Sequence, residues 1–287
     1  MSANVPSIAI VVVFFGQPPF WLPAFLLSCR HNPDLQWIVY SDFEIVGPLP
    51  VNVTVKQLDV PEFNRRASDV LGAPINVLRT SEKPDARGRV RLNLRKACDL
   101  KPAYGVIFAD DLRPFDFWAC SDLDIIWGDL RRFLTPALLH DYDIISSRPD
   151  RLSGHFTLYR NTEATNRAFE LIPDVAAAFA TPQYLHLDEH ELTRHLRGYI
   201  DAHRFSGWPR IYWQHEWTTS AGLQRSVVNG SAGALWWRDG RTFTADGTEI
   251  MYVHFHKLKR DMTTINFGFT DAPAAFSIGP TGFAVIG

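Results

Sequence analysis

The sequence predicts a doubly wound α/β fold, with a mostly parallel central sheet flanked by helices and a smaller hairpin region near the carboxyl end. Three observations carry this. The run Ile8-Ala9-Ile10-Val11-Val12-Val13-Phe14-Phe15 is apolar, largely β-branched and continuous rather than alternating, as suits a parallel strand covered on both faces. Strand and helix signals then alternate, which is how such sheets open. Towards the carboxyl end Trp208, Trp213, Trp217, Trp236 and Trp237 cluster, and Arg238-Asp239-Gly240-Arg241 between two aromatic runs is a hairpin signal.

Taken in order, Gly16 stops the first strand, and Trp21, Leu22, Phe25, Leu26 and Cys29 recur at helical spacing until Asn32-Pro33. Leu35 to Tyr40 and Val51 to Val55 read as the next two strands. Residues 59 to 90 hold Pro61, Gly72, Pro74, Pro84 and Gly88 among many charges, so short helices and a mobile surface loop are expected there. From Val90 to Phe108 the residues Leu92, Leu94, Ala97, Leu100, Tyr104 and Phe108 keep near-helical spacing around Pro102, which predicts one kinked helix or two short ones. Phe115 to Cys120 is a strand, followed by Ser121-Asp122-Leu123-Asp124 and the apolar Ile125-Ile126-Trp127-Gly128. Tyr142 to Ser147 and His155 to Tyr159 are two further strands. Helices are expected at Thr162 to Leu171 and around Leu187 to Ile200, and a last strand at Ile250 to Phe255. Residues 270 to 287 are left open between a packed tail and an acceptor lid.

Composition narrows the function. With 46% hydrophobic and 21% charged residues among 287, the chain is neither disordered nor fibrous, and one domain over 1–287 is expected. Lys and Arg total 29 against 31 for Asp and Glu, a net charge of −2, so no bulk field draws it to nucleic acid, and no nucleic-acid partner is expected. The aromatic share of 13% is common in sugar-handling proteins. The longest apolar run, Ile8 to Phe15, falls short of the ~20 residues that span a bilayer and has no signal-peptide flanks. Cys29, Cys98 and Cys120 are widely spaced and unpaired in pattern, so they read as buried reduced thiols. A cytoplasmic protein is expected, with peripheral work at the inner face of a membrane as its other setting.

Chemistry concentrates in a few segments. Asp122 and Asp124 sit at the end of a buried strand, where two like charges are costly unless a cation or hydrogen bonds offset them. Such a pair suits Mg²⁺ or Mn²⁺, which take oxygen ligands and leave positions open for phosphate. Asp-x-Asp alone is also a common solvated turn. In Tyr252-Val253-His254-Phe255-His256-Lys257, a strand-end histidine supplies a borderline ligand and nearby lysines neutralise a diphosphate. On a strand, His254 and His256 share a face, so both or neither should reach the site. The segment His186-Leu187-Asp188-Glu189-His190 matches the order of inverted zinc proteases by chance; Asp188 and Glu189 more simply open a helix and aim one acid into a pocket. Gly154-His155 before a strand either lets a ligand approach the backbone closely or is simply a turn. Phe15 and Gly16 end the first strand and Asp42 the second, where open sheets bind nucleotides. Lys96 and Lys101 precede the Asp-x-Asp strand as candidate phosphate ligands, with solvated surface as the expectation for one of them.

The order of these elements resembles a GT-A glycosyltransferase. More closely, Lys96-Ala97-Cys98-Asp99-Leu100-Lys101-Pro102-Ala103-Tyr104-Gly105, Phe115-Asp116-Phe117-Trp118 and Asp122-Leu123-Asp124-Ile125-Ile126-Trp127-Gly128-Asp129-Leu130 resemble bacterial proteins associated with surface polysaccharide synthesis, as do Gly154-His155-Phe156 and His254-Phe255. The resemblance covers Ile8 to about Arg260. It implies a GT-A-like domain whose nucleotide-binding half is about 1–130 and acceptor-side half about 131–287. It implies that Asp122 and Asp124, the DxD motif, hold Mn²⁺ or Mg²⁺ against the diphosphate of a nucleotide sugar, and that His254 completes the shell. Phe15, Gly16, Asp42, Gly154 and His155 would line the donor, Lys101 or Lys257 its phosphates. Asp188 or Glu189 would be the base if the reaction inverts. Their order is reversed from the usual Glu-Asp, and the Gly and Lys-Pro-Trp that follow the histidine in glycogenin-like enzymes are missing.

The function implied is transfer of a hexose from a uridine diphosphate sugar to a saccharide or lipid-linked acceptor. Two alternatives stand beside it. A sugar nucleotidylyltransferase also uses paired carboxylates, but Gly16-Gln17-Pro18-Pro19 has no positive charge to hold a triphosphate. A carbohydrate-binding protein on the same fold would need neither aspartate.

Overall fold

The computed structural model describes residues 5–77, 94–214 and 233–286. Val90, Leu92, Trp217 and the later part of the loop expected before residue 90 lie outside the described residues.

The first strands are β1 (Ile8–Phe14), β2 (Leu35–Ser41), β3 (Val53–Gln57) and β4 (Phe117–Ser121). After them come β5 (Ile125–Trp127), β6 (Ile144–Ser146), β7 (Phe156–Arg160) and β8 (Ile211–Trp213). All but β5 join one seven-stranded sheet in the order β3-β2-β1-β4-β7-β6-β8. Its pairs are parallel except that β7 runs antiparallel to both β4 and β6, so the mixed, mainly parallel α/β class is as expected. The continuous apolar character of β1 has its reason here. Ile8, Ile10 and Val12 pack on one face with Leu22 and Phe25, while Ala9 and Val11 pack on the other with Tyr104 and Phe108.

Helix α1 (Leu22–Arg30) buries nearly its whole circumference, because it lies between two sheets. Phe25 and Cys29 meet the central sheet, and Ala24 and Leu27 meet a third cluster around Trp237, Phe276 and Phe283. That cluster belongs to a six-stranded second sheet, larger than the hairpin region expected. It orders β11 (Glu249–Ile250), β10 (Arg241–Phe243), β9 (Leu235–Arg238), β14 (Ala275–Gly279), β15 (Gly282–Val285) and β13 (Thr264–Ile265). The Asp239-Gly240 hairpin forms as read: both residues are left-handed, φ 46° and 83°, and Arg238 pairs with Arg241. The tail resolves into packed strands, β14 and β15. The single strand expected over Ile250 to Phe255 divides at Met251, and its second part, β12 (Tyr252–His254), leaves the second sheet to pair antiparallel with β5.

Helix α2 (Val60–Leu71) is capped by Asp59, which accepts the Glu62 amide at 2.8 Å. Around Pro102 the chain breaks further than a kink. Short turns at Lys96–Asp99, Lys101–Ala103, Tyr104–Ile107 and Ala109–Leu112 replace the expected helix. The helices expected near residues 163 and 190 are found, the first as two short turns and the second as a π-helical turn, Leu187–Glu191, leading into α3 (Leu192–Ala202). Cys29 and Cys120 are buried, Cys98 is half-buried, and all three are free thiols. Among the described residues no helix is long and apolar enough to cross a membrane.

Candidate functional site

In chain order the sheet grows from β1 through β2 to β3 and then returns to β4 on the other side of β1. The crevice at the carboxyl ends of β1 and β4 is therefore the topological switch point. Asp122 and Asp124 lie on the bend between β4 and β5. The bend is pinned on both sides: Trp21 Nε1 donates to Leu123 O at 3.1 Å, and the Phe255 amide donates to Asp124 O at 3.2 Å.

Two antiparallel pairings bring the remaining groups here. Because β12 runs against β5 with His254 opposite Ile125, the end of β12 arrives beside Asp124. Its imidazole Nε2 stands 3.5 Å from Asp124 Oδ1 and 3.8 Å from Asp122 Oδ2, and His256 Nδ1 is 3.8 Å from Asp124 Oδ2. Both histidines thus reach Asp124, and His254 reaches Asp122 as well. Because β7 runs against β4, the segment before β7 meets the end of β4, and His155 stacks on His254 with centroids 4.0 Å apart. His155 is fixed in turn: Ser153 Oγ lies 3.0 Å from its Nδ1, its Nε2 lies 2.7 Å from Tyr252 Oη, and that hydroxyl donates to Ser147 at 2.7 Å. Burial and the neighbouring His254 hold the His155 pKa well below the usual histidine value, so it presents a neutral ring.

Charge is balanced by lysines. Lys101 Nζ donates to Asp122 Oδ1 and to Gly154 O, each at 2.5 Å, and Lys259 Nζ reaches Asp124 Oδ2 at 2.6 Å. Burial works against the Lys101 ammonium, but Asp122 and Asp188 keep its pKa well above the usual lysine value. Burial likewise works to raise the Asp124 carboxyl, yet His254, His256 and Lys259 together hold it well below the usual range. Among these groups His254 Nε2 is distinctive. It is buried and makes no hydrogen bond among the described residues, although two carboxylates face it. Oxygen donors with one imidazole suit a divalent cation such as Mn²⁺ or Mg²⁺. Asp124, His254 and His256 present ligand atoms within 4.8 Å of one another.

On the other side of Lys101 lies Asp188, 4% exposed. Burial, with the like charges of Glu189 and Asp99, pushes its carboxyl up to about 7 against the opposing pull of Lys101 and the Tyr184 hydroxyl. Glu189 accepts the Gly154 amide and Arg151 Nε, each at 3.2 Å. Only glycine fits at 154: a Cβ there would lie 2.3 Å from Asp188 Oδ2 and 3.2 Å from Glu189 Oε1. Gly154→Ala is expected to destabilise the fold by about 1–3 kcal/mol as this overpacking displaces both acids. Thermal melts read the loss, and it should shrink when Asp188→Ala removes the obstructing carboxylate. An equal loss in both backgrounds would show that the clash lies elsewhere.

Other sequence-predicted residues fall differently. Phe15 is buried in the core against Phe63. Gly16 and Asp42 meet each other, the Gly16 amide donating to Asp42 Oδ1 at 2.8 Å. Lys96 is neither solvated nor turned to the site; it is 1% exposed and pairs with Asp99 at 2.9 Å. Lys257 is exposed, and Lys259, delivered by the turn Leu258–Arg260, joins Lys101 on the carboxylates. Sequence reasoning missed Lys259 although its spacing of three from His256 was the available signal.

Comparisons with known proteins complete these findings. The family described as "Family of unknown function (DUF6625)" matches residues 10–286. No curated protein matches the sequence. Similar solved structures include mouse xyloside xylosyltransferase 1, at 10% identity and TM-score 0.42, covering 86% of this chain and 97% of that one. An active-site mutant of LgtC is similar at 10% identity and TM-score 0.44, covering 90% and 92%. The galactosyltransferase LgtC with donor and acceptor sugar analogues is similar at 11% identity and TM-score 0.38, covering 76% and 77%.

Proposed function

The chain belongs to the DUF6625 family, and from that premise we propose that it is a metal-dependent glycosyltransferase of GT-A type. It moves a hexose from a nucleoside diphosphate sugar, a uridine one, to a saccharide or lipid-linked acceptor of a bacterial surface polysaccharide. One observation carries the reading: two strand-end carboxylates and a buried imidazole nitrogen that has no hydrogen bond among the described residues converge at the switch point of the sheet. In this reading residues 1–130 supply most of the donor site and residues 131–287 most of the acceptor side, in one cytoplasmic domain, with the inner face of the membrane as its other setting.

Asp122, Asp124 and His254 would hold the cation, with His256 beside them. When bound, it supplies Lewis acidity to the departing diphosphate. Lys101 and Lys259 neutralise the two carboxylates and in this reading would share their charge with phosphate oxygens. His155, fixed by Ser153 and Tyr252, holds the His254 ring in place by stacking. Asp188, poised near neutrality, accepts the proton of an acceptor hydroxyl if the anomer inverts.

A thermal-shift panel of nucleoside diphosphates, triphosphates and diphosphate sugars, each with and without Mn²⁺, tests this. A uridine diphosphate at about a hundred times its Kd should stabilise the protein by about 2.7 kcal/mol, and only with Mn²⁺. Preference for a triphosphate would turn the assignment to a nucleotidylyltransferase, and silence toward every nucleotide would leave a carbohydrate-binding protein.

A further inference from the structure

We infer that His186, Glu189 and His190 form a second metal site, one that takes a borderline transition-metal ion such as Zn²⁺ and shares no ligand with the centre of two carboxylates and one imidazole at Asp122, Asp124 and His254. The three residues present ligand atoms within 4.8 Å of one another. Two imidazoles and one carboxylate favour Zn²⁺ over Mg²⁺ or Mn²⁺, which prefer oxygen-rich sets.

The backbone beneath these side chains is held firmly. The amides of Glu189, His190 and Glu191 converge on His186 O at 3.3, 3.0 and 3.3 Å. Asp99 accepts the amides of Leu185 and Leu187, each at 2.9 Å, and is itself tied to the buried Lys96. His186 is left-handed, φ 58° and ψ 37°, a conformation unfavourable for a residue other than glycine and one that the clamp sustains. Its ring lies 4.1 Å from that of Tyr184 and meets His190 edge to face at 5.6 Å. Two histidine rings are thereby gathered at an exposed spot, and their nitrogens make no hydrogen bond among the described residues. Glu189, the third ligand, is fixed by the Gly154 amide and Arg151 Nε, each at 3.2 Å, and His190 borders an open cleft with Asp150, Arg151 and Arg194. The His-x-x-Glu-His spacing sets Glu189 and His190 on the single turn that His186 opens.

Zinc titration of the full chain against a chromophoric chelator tests the site without any sugar transfer, so its failure and that of the glycosyltransferase reading are separate results. The variants are His186→Asn with His190→Gln, in which asparagine tolerates the left-handed backbone, and Asp124→Asn. Wild type should take up one equivalent more than the double histidine variant, and Asp124→Asn should keep that equivalent. Glu189→Gln, which retains both histidines, should hold it more weakly. Equal uptake by wild type and a double variant shown by circular dichroism to be folded, or unchanged affinity in Glu189→Gln, overturns the site. Loss of that equivalent in Asp124→Asn overturns its independence.

Discussion

Asp124→Asn is expected to lower sugar transfer by about a thousandfold or more and to erase the Mn²⁺-dependent stabilisation by a nucleoside diphosphate. Asparagine keeps the shape and the main-chain contact with Phe255 but removes the charge that His254, His256 and Lys259 surround. Cation-assisted charge stabilisation is worth several kcal/mol in a transition state, and each 1.36 kcal/mol is a factor of ten. The fold should respond in a pH-dependent way. Folding lowers the Asp124 pKa, so the ionised carboxylate stabilises the native state above the unfolded value near 4, and this is lost as pH falls toward the folded one. Wild type should therefore melt above the variant at pH 7, by a margin reduced because Lys259 is one-third exposed, and the two should converge in acid. Transfer within tenfold of wild type, or intact Mn²⁺ dependence, would sink the assignment of Asp124 as a cation ligand.

Much of the central sheet was legible because its signals are local. The unbroken run from Ile8 to Phe15 announces a strand covered on both faces, and Asp239-Gly240 announces its own left-handed turn. The second sheet was not legible, because its short strands pair across long sequence separations. Thr264–Ile265 finds Gly282–Phe283, and Trp237 finds Phe276, where glycine, proline and turn residues between them read as loop. The division of one apolar run at Met251 is likewise tertiary: Ile250 and Tyr252 serve different sheets. In the site, the placement of Asp122, Asp124, His254 and Gly154 at strand ends followed from apolar segments abutting polar ones. The lysines did not follow. Lys96 looks like any charged residue until Asp99, three residues on in the same turn, buries with it, and Lys259 displaces Lys257 only once the turn Leu258–Arg260 exists.

Asp188→Asn is expected to move activity and stability in opposite directions. The carboxyl is buried among Glu189, Asp99, Lys101 and Tyr184, with Arg151 on the far side of Glu189, and its pKa is raised to about 7 from an unfolded value near 3.9. A raised carboxylate pKa means the native state holds the proton more tightly. That advantage is complete below pH 3.9 and disappears as pH rises through 7, after which the ionised group burdens the fold by on the order of several kcal/mol. Asparagine carries no such charge. At pH 8 the variant should melt several degrees above wild type, and at pH 4 the two should coincide, with Lys101 keeping Asp122 as its partner in both. Transfer, in contrast, should fall by about 10²–10⁴ if the group is the base, and wild-type activity should rise with an apparent pKa near 7 that the variant lacks. A variant that melts lower than wild type at pH 8 would show that the ionised carboxylate is stabilised by Lys101 more than burial penalises it. Full activity with the raised melting point would assign Asp188 a structural part, and would favour a retaining reaction in which the leaving phosphate takes the proton.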